Sequence, residues 1–204
     1  MIGRLARRLT AWLQRRRRRL GWLVVALPVA AAAQPPGWPA AGQACVGCHA
    51  PTSGAAPRLA GLPADYLTKQ LRDLRDGERP ANPALQAAHG LDREAARQLA
   101  RALAALPAPS WPASASMVGQ RLYEQGDLRR GRPACQVCHG QASGSGPGLS
   151  APPLQGQPVA YLAAQLRAWR DGTRRNSVDD LMTEAARGLS DSDIEALSRH
   201  LGQL

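Results

Sequence analysis

The sequence predicts an all-α protein built as one unit written twice. Apolar residues recur at helical spacing, no stretch alternates convincingly as a strand, and a block of motifs returns in order downstream. Cys45-Val46-Gly47-Cys48-His49 comes back as Cys135-Gln136-Val137-Cys138-His139, an offset of 90. Pro57-x-Leu59-x-Gly61 matches Pro152-x-Leu154-x-Gly156, an offset of 95. Tyr66-Leu67-x-x-Gln70-Leu71-Arg72 and Arg75-Asp76-Gly77-x-Arg79 match Tyr161-Leu162-x-x-Gln165-Leu166-Arg167 and Arg170-Asp171-Gly172-x-Arg174 at that same offset of 95. Ala87-Ala88-x-Gly90-Leu91 then matches Ala185-Ala186-x-Gly188-Leu189 at 98. The shifts fall in Gly-, Pro- and Ser-rich stretches, where insertions are tolerated.

The first segment, residues 1–33, reads as an address. Eight of the 26 basic residues lie within residues 1–19, and no acidic residue precedes Asp65. An apolar stretch of 14 residues follows at 20–33 and ends in small residues. A bilayer span needs about 20 apolar residues. The pattern is that of a secretory signal peptide, with Ala31-x-Ala33 as the cleavage site before Gln34. A retained anchor is the alternative. Export places the mature chain in the periplasm, where disulfides are permitted. Without residues 1–33 the formal net charge of +11 falls to +3, with 18 basic against 15 acidic residues. A nucleic-acid partner is therefore not expected.

Two domains follow, at 34–106 and 116–204, joined by a proline-rich linker at 107–115. In the first, Leu67, Leu71 and Leu74 mark a helix that Gly77 stops, and Asp92 opens another carrying Leu99, Leu103 and Leu106. In the second, Leu162, Leu166 and Trp169 mark the counterpart that Gly172 stops. Ser190-x-x-Asp193 resembles a capping box ahead of Ile194, Leu197 and Leu201. Hydrophobic residues make up 44%, which excludes a disordered chain. Only 8 residues are aromatic and none is Phe. Two small domains filled with so few rings call for another apolar group in the core.

The Cys-x-x-Cys-His motifs supply that group. Cysteines three apart on a helical turn share a face, so their sulfurs can form thioethers with the two vinyl groups of one haem. The following His can then turn its imidazole under the iron. A thioredoxin-like pair lacks a surrounding βαβ pattern, and one zinc on cysteines 90 residues apart is awkward. Two structural disulfides also suit the compartment. Duplication, export and a His in both copies favour two covalently attached haem c groups, on Cys45 and Cys48 and on Cys135 and Cys138, with His49 and His139 as iron ligands. Leu59, Leu67, Leu71 and Leu99 are then haem-packing core. The carbonyls of Pro57 and Pro152 are placed to accept the His N–H, although a plain loop proline fits the same spacing.

On these residues the chain resembles the dihaem cytochrome c4 family over 38–204, most specifically from Leu122-Tyr123-Glu124 through Cys135 to Asp171-Gly172-Thr173-Arg174-Arg175-Asn176. The resemblance implies two tandem class I cytochrome c domains, each wrapped around one haem. It implies an electron carrier with no catalytic residues, taking electrons from a quinol-oxidising complex or dehydrogenase and feeding a terminal oxidase. The haem subunit of flavocytochrome c sulfide dehydrogenase is similar too.

In that family a distal Met lies seven residues before the Leu preceding the last helix. Counting back from Leu189 gives Met182, a thioether that would raise the potential of the second haem. Counting back from Leu91 gives Ala84. The chain has three Met, and neither Met1 nor Met117 suits the first haem. His89 aligns with Arg187, which suggests a solvent-facing side chain, yet it is also the one imidazole available as a distal ligand there. Lys69, the single lysine, is expected on an exposed helix face. Arg79 and Gln86 are expected in solvated or propionate-facing roles, and His200 is expected to be exposed. An open first haem that binds small ligands, and a bis-imidazole relay, are both consistent with these positions.

Overall fold

The computed structural model describes residues 38–49, 56–108, 116–140 and 151–202, which belong to one compact unit. The expected signal segment at 1–33 and most of the linker at 107–115 lie outside the described residues. The first half runs from a 3-10 segment, Ala40–Cys45, into α1 (Val46–His49), α2 (Ala64–Arg75), α3 (Pro83–Ala88) and α4 (Arg93–Ala104). The second holds α5 (Met117–Gln125), α6 (Gln136–His139), α7 (Val159–Arg170), α8 (Leu181–Ala186) and α9 (Asp191–Leu201). Among the described residues there is no strand, only an isolated bridge between Asp127 and Arg132.

Local chemistry sets the helix ends. The Asp92 carboxylate accepts from the N–H groups of Glu94 and Ala95 at 2.9 Å each and starts α4. Ser190 and Asp193 form the reciprocal capping box that starts α9. Gly77 (φ 80°) and Gly172 (φ 69°) follow α2 and α7 in the left-handed region, which costs a side-chain-bearing residue free energy and glycine little.

Each half has its own core. In the first, α4 turns Ala96, Leu99, Ala100 and Leu103 inward against α2 and Leu62. Fully burying side chains such as Leu99 and Leu103 is worth roughly 2 kcal/mol apiece. In the second, α9 crosses α5 and packs on α7, gathering Tyr123, Leu162, Trp169, Ile194, Leu197 and Leu201. The α5–α9 crossing needs Gly119: a Cβ there would stand 2.1 Å from the Ala196 carbonyl and 2.6 Å from His200 Cβ. His200 is consequently half-buried, its ring centroid 5.9 Å from that of Tyr123, and not exposed as its sequence position suggested.

The halves meet through a pseudo-symmetric polar contact built from the repeated motif. The Arg79 guanidinium donates to Gln70 of its own half (2.9 Å) and to Tyr161 and Gln165 of the other (3.2 Å each). Its counterpart Arg174 donates to Gln165 (2.5 Å) and across to Gln70 (2.9 Å), while its guanidinium carbon lies 4.4 Å from the Trp169 ring centroid. Arg79 therefore serves the contact between halves, a role its sequence position did not suggest. Gln157 adds a two-way clamp: its amide accepts from the Arg58 N–H and donates to the Arg58 carbonyl, at 2.9 Å each.

One tie breaks the symmetry. Lys69 donates to Asp73 and to the Asn176 carbonyl (2.5 Å), and the Asn176 amide donates to Asp73 at 2.6 Å. The corresponding residues in the other halves are Ala164, Ala168 and Ala81, so only one such tie forms. Lys69 is thus a partly buried bridge between halves, where its helix position suggested an exposed face. Asp73 is fully buried. Burial opposes its ionisation, but the hydrogen bonds from Lys69, Asn176 and Arg72 outweigh that and hold the carboxyl below its ordinary value.

Candidate functional site

The two Cys-x-x-Cys-His segments form single helical turns, α1 and α6, and each presents its His inward. Cys45 and Cys135 are half-buried, and Cys48 and Cys138 lie at the surface. Burial raises the Cys45 and Cys135 thiols above their ordinary pKa. Among the described residues no group of three or more His, Cys, Asp and Glu side chains gathers as a metal site.

In both halves the imidazole is oriented by a proline carbonyl. His49 Nδ1 lies 2.7 Å from the Pro57 oxygen, and His139 Nδ1 lies 2.7 Å from the Pro152 oxygen. A carbonyl only accepts, so Nδ1 carries the proton and Nε2 keeps its lone pair. Desolvation pushes both imidazoles below the ordinary histidine value, against the smaller opposing pull of the proline carbonyls. Both are therefore neutral nitrogen donors at neutral pH. His139 is further fixed by Tyr123, whose hydroxyl donates to the His139 carbonyl at 2.8 Å and accepts from Gln155 at 2.7 Å.

On the far side of His139, Met182 Sδ stands 3.5 Å from Nε2. The loop ahead of α8 aims it there. Asp179 (φ 48°) and Asp180 (φ 53°) both adopt the left-handed conformation, costing roughly 1–2 kcal/mol each for ordinary residues and less for aspartate. The Met182 N–H then donates to the Ser177 hydroxyl at 3.2 Å. Nothing in the sequence pattern singled out Ser177, Asp179 or Asp180. Two consecutive short polar side chains ahead of a helix are the one available hint.

The first half is different. Asn82 caps α3 from an extended conformation, its side chain accepting from the Leu85 N–H at 2.9 Å. Ala84, at the position of Met182, is exposed. His89 at the end of α3 is half-buried, its ring centroid 6.0 Å from that of His49 with the planes at 89°. Its counterpart Arg187 is exposed and pairs with Glu184 at 2.5 Å. The exposure that the Arg187 alignment suggested is therefore not what His89 adopts. Gln86 donates to the Arg75 carbonyl at 3.5 Å and takes no part in this pair.

Known proteins share this fold. The chain is 32% identical to cytochrome c4 of Azotobacter vinelandii, over 88% of this chain and 95% of that one. The chain belongs to the cytochrome c4 family. It is 44% identical to a thiosulfate dehydrogenase electron acceptor from Stutzerimonas stutzeri, over 80% of each chain. Among solved structures, reduced cytochrome c4 from Pseudomonas stutzeri superposes with a TM-score of 0.69 at 31% identity, covering 78% of this chain and 93% of that one. A thiosulfate dehydrogenase from Marichromatium purpuratum matches with a TM-score of 0.66 at 36% identity, covering 77% of this chain and 35% of that one. No protein-family model matches.

As a cytochrome c4 relative the protein is an all-α electron carrier with two covalently bound haem c groups. The donor set fits that cofactor: each half offers a cysteine pair and a neutral imidazole whose Nε2 keeps its lone pair, and in the second half the Met182 sulfur lies 3.5 Å from that Nε2. No helix among the described residues is long and apolar enough to cross a membrane.

Proposed function

We propose that this cytochrome accepts electrons in the periplasm from a dehydrogenase that oxidises a small sulfur anion, thiosulfate being the nearest example. It then passes them to a respiratory acceptor such as a terminal oxidase. The observation that carries the donor side is the 44% identity to a thiosulfate dehydrogenase electron acceptor, against 32–35% to the cytochromes c4. In this reading residues 1–33 are removed on export, and the domains at 34–106 and 116–204 each hold one haem. Cys45 and Cys48 tether the first, Cys135 and Cys138 the second. His49 and His139 are the proximal ligands, and Met182 is the distal ligand of the second iron.

Each haem supplies one-electron storage, and a thioether ligand favours its reduced form. The protein's residues do the positioning. The Pro57 and Pro152 carbonyls hold the imidazoles in one tautomer and orientation. The turn at Ser177–Asp180 aims the Met182 sulfur. The cross-contacts of Arg79, Arg174, Gln157 and Lys69 keep the halves in one relation, so an electron meets a fixed path between them.

Stopped-flow mixing of the oxidised cytochrome with thiosulfate dehydrogenase and thiosulfate tests the donor. Reduction of both haems much faster than with thiosulfate alone is the expected result. Slow reduction there, with fast reduction by a quinol-oxidising complex, would contradict it.

A further inference from the structure

The first half has lost the methionine position yet brings a second imidazole to the face of the first. We propose that His89 is the sixth ligand of the first haem iron, so that this haem is bis-histidine while the second is histidine/methionine. The inference rests on the electron-carrier reading above and specifies how its two centres differ.

Four observations point the same way. First, the separation fits: two imidazoles bound through Nε2 to opposite sides of one metal, with metal–nitrogen bonds of about 2.0 Å, place their centroids roughly 6 Å apart, and those of His49 and His89 are 6.0 Å apart. Second, the tautomers fit. His89 Nδ1 lies 2.6 Å from the Leu85 carbonyl just as His49 Nδ1 lies 2.7 Å from that of Pro57. Both protons are thereby placed on Nδ1, leaving both Nε2 atoms as donors. Third, the alternatives are engaged elsewhere or absent: Lys69 is bound to Asp73 and Asn176, and Ala84 carries no donor. Fourth, Arg187 at the equivalent place turns outward to Glu184, whereas His89, on a different backbone (φ −106°, ψ 7° against φ −49°, ψ −39°), stands beside His49. An edge-to-face contact between two histidines is the plain competing account. It requires neither nitrogen to be a ligand, and the spectra of the haem-loaded protein separate the two.

Nitrogen in place of sulfur lowers the potential of the first haem below that of the second. An electron entering at the first half therefore comes to rest at the second.

The test uses the haem-loaded, periplasmically expressed protein, with haem counted by mass. Two haems giving two low-spin paramagnetic resonance signals are expected, with only one showing the near-infrared charge-transfer band of methionine ligation. His89→Ala should convert one signal to high spin and open that haem to cyanide, with imidazole restoring the low-spin form. His89→Met should add a second methionine band. A high-spin signal in the wild-type protein, or two methionine bands there, would overturn the inference, as would unchanged spectra in a folded His89→Ala. Fewer than two haems would instead overturn the attachment reading beneath it.

Discussion

Replacing Asp73 with alanine tests the single asymmetric tie between the halves. The carboxylate is fully buried and receives Lys69, Asn176 and Arg72. Breaking a buried pair costs about 3–5 kcal/mol when the partner charge is stranded away from water. Here the Lys69 side chain keeps 26% of its exposure and Arg72 56%, so both cations can rehydrate. Most of the cost then comes from the lost charge-assisted hydrogen bonds and the stranded Asn176 amide, about 2 kcal/mol in all. For a chain of this size that is a fall in Tm of about 4–8 °C. Because its folded-state pKa lies below its unfolded value of about 3.9, Asp73 contributes fully above that pH and the contribution is lost as pH falls through the folded value. Asp73→Asn should therefore be less stable than wild type at neutral pH, with the gap closing in acid. Calorimetry on the haem-loaded proteins at pH 7 and below about pH 3.9, where the buried carboxylate takes up its proton, measures both effects. A variant as stable as wild type at pH 7, or a gap that widens in acid, would refute the reasoning.

Other substitutions follow from the same geometry. Gly119→Ala drives a Cβ to within 2.1 Å of the Ala196 carbonyl, so α5 and α9 must separate; a loss of about 1–3 kcal/mol is expected in denaturant titration. Gln157→Ala removes both bonds to the Arg58 backbone; about 1–3 kcal/mol should be lost, and hydrogen exchange at the Arg58 amide should quicken. Cys138→Ser should leave the first haem covalently attached and reduce the second to a single thioether or none, read from the mass of the purified chain; Cys48→Ser should do the reverse.

Much of this was legible because covalent and periodic constraints are local. The Cys-x-x-Cys-His spacing fixes which side chains share a helical turn, and Asp92 and Ser190 announce the helices they cap. The repeated Pro-x-Leu-x-Gly block identified the prolines whose carbonyls meet His49 and His139. Pairing across the halves was not legible, since Arg79–Tyr161 and Lys69–Asn176 join residues 82 and 107 apart. A helical pattern states that α2 has two faces without stating which of them meets α7. The signal was nonetheless present: Tyr66, Gln70 and Arg79 recur as Tyr161, Gln165 and Arg174, polar residues repeated where only apolar ones were needed for a core. His89 misled for the opposite reason. It aligns with Arg187 in sequence, but its backbone (φ −106°, ψ 7°) departs from that of Arg187 (φ −49°, ψ −39°), and its ring lies beside that of His49.

A spectroelectrochemical titration of wild type and Met182→Ala tests most directly that the two haems are held unequally. Two separate one-electron steps are expected in the wild type, and Met182→Ala should lower the upper step while leaving the lower one in place. A single step shared by both haems, or an upper step indifferent to Met182, would contradict the account.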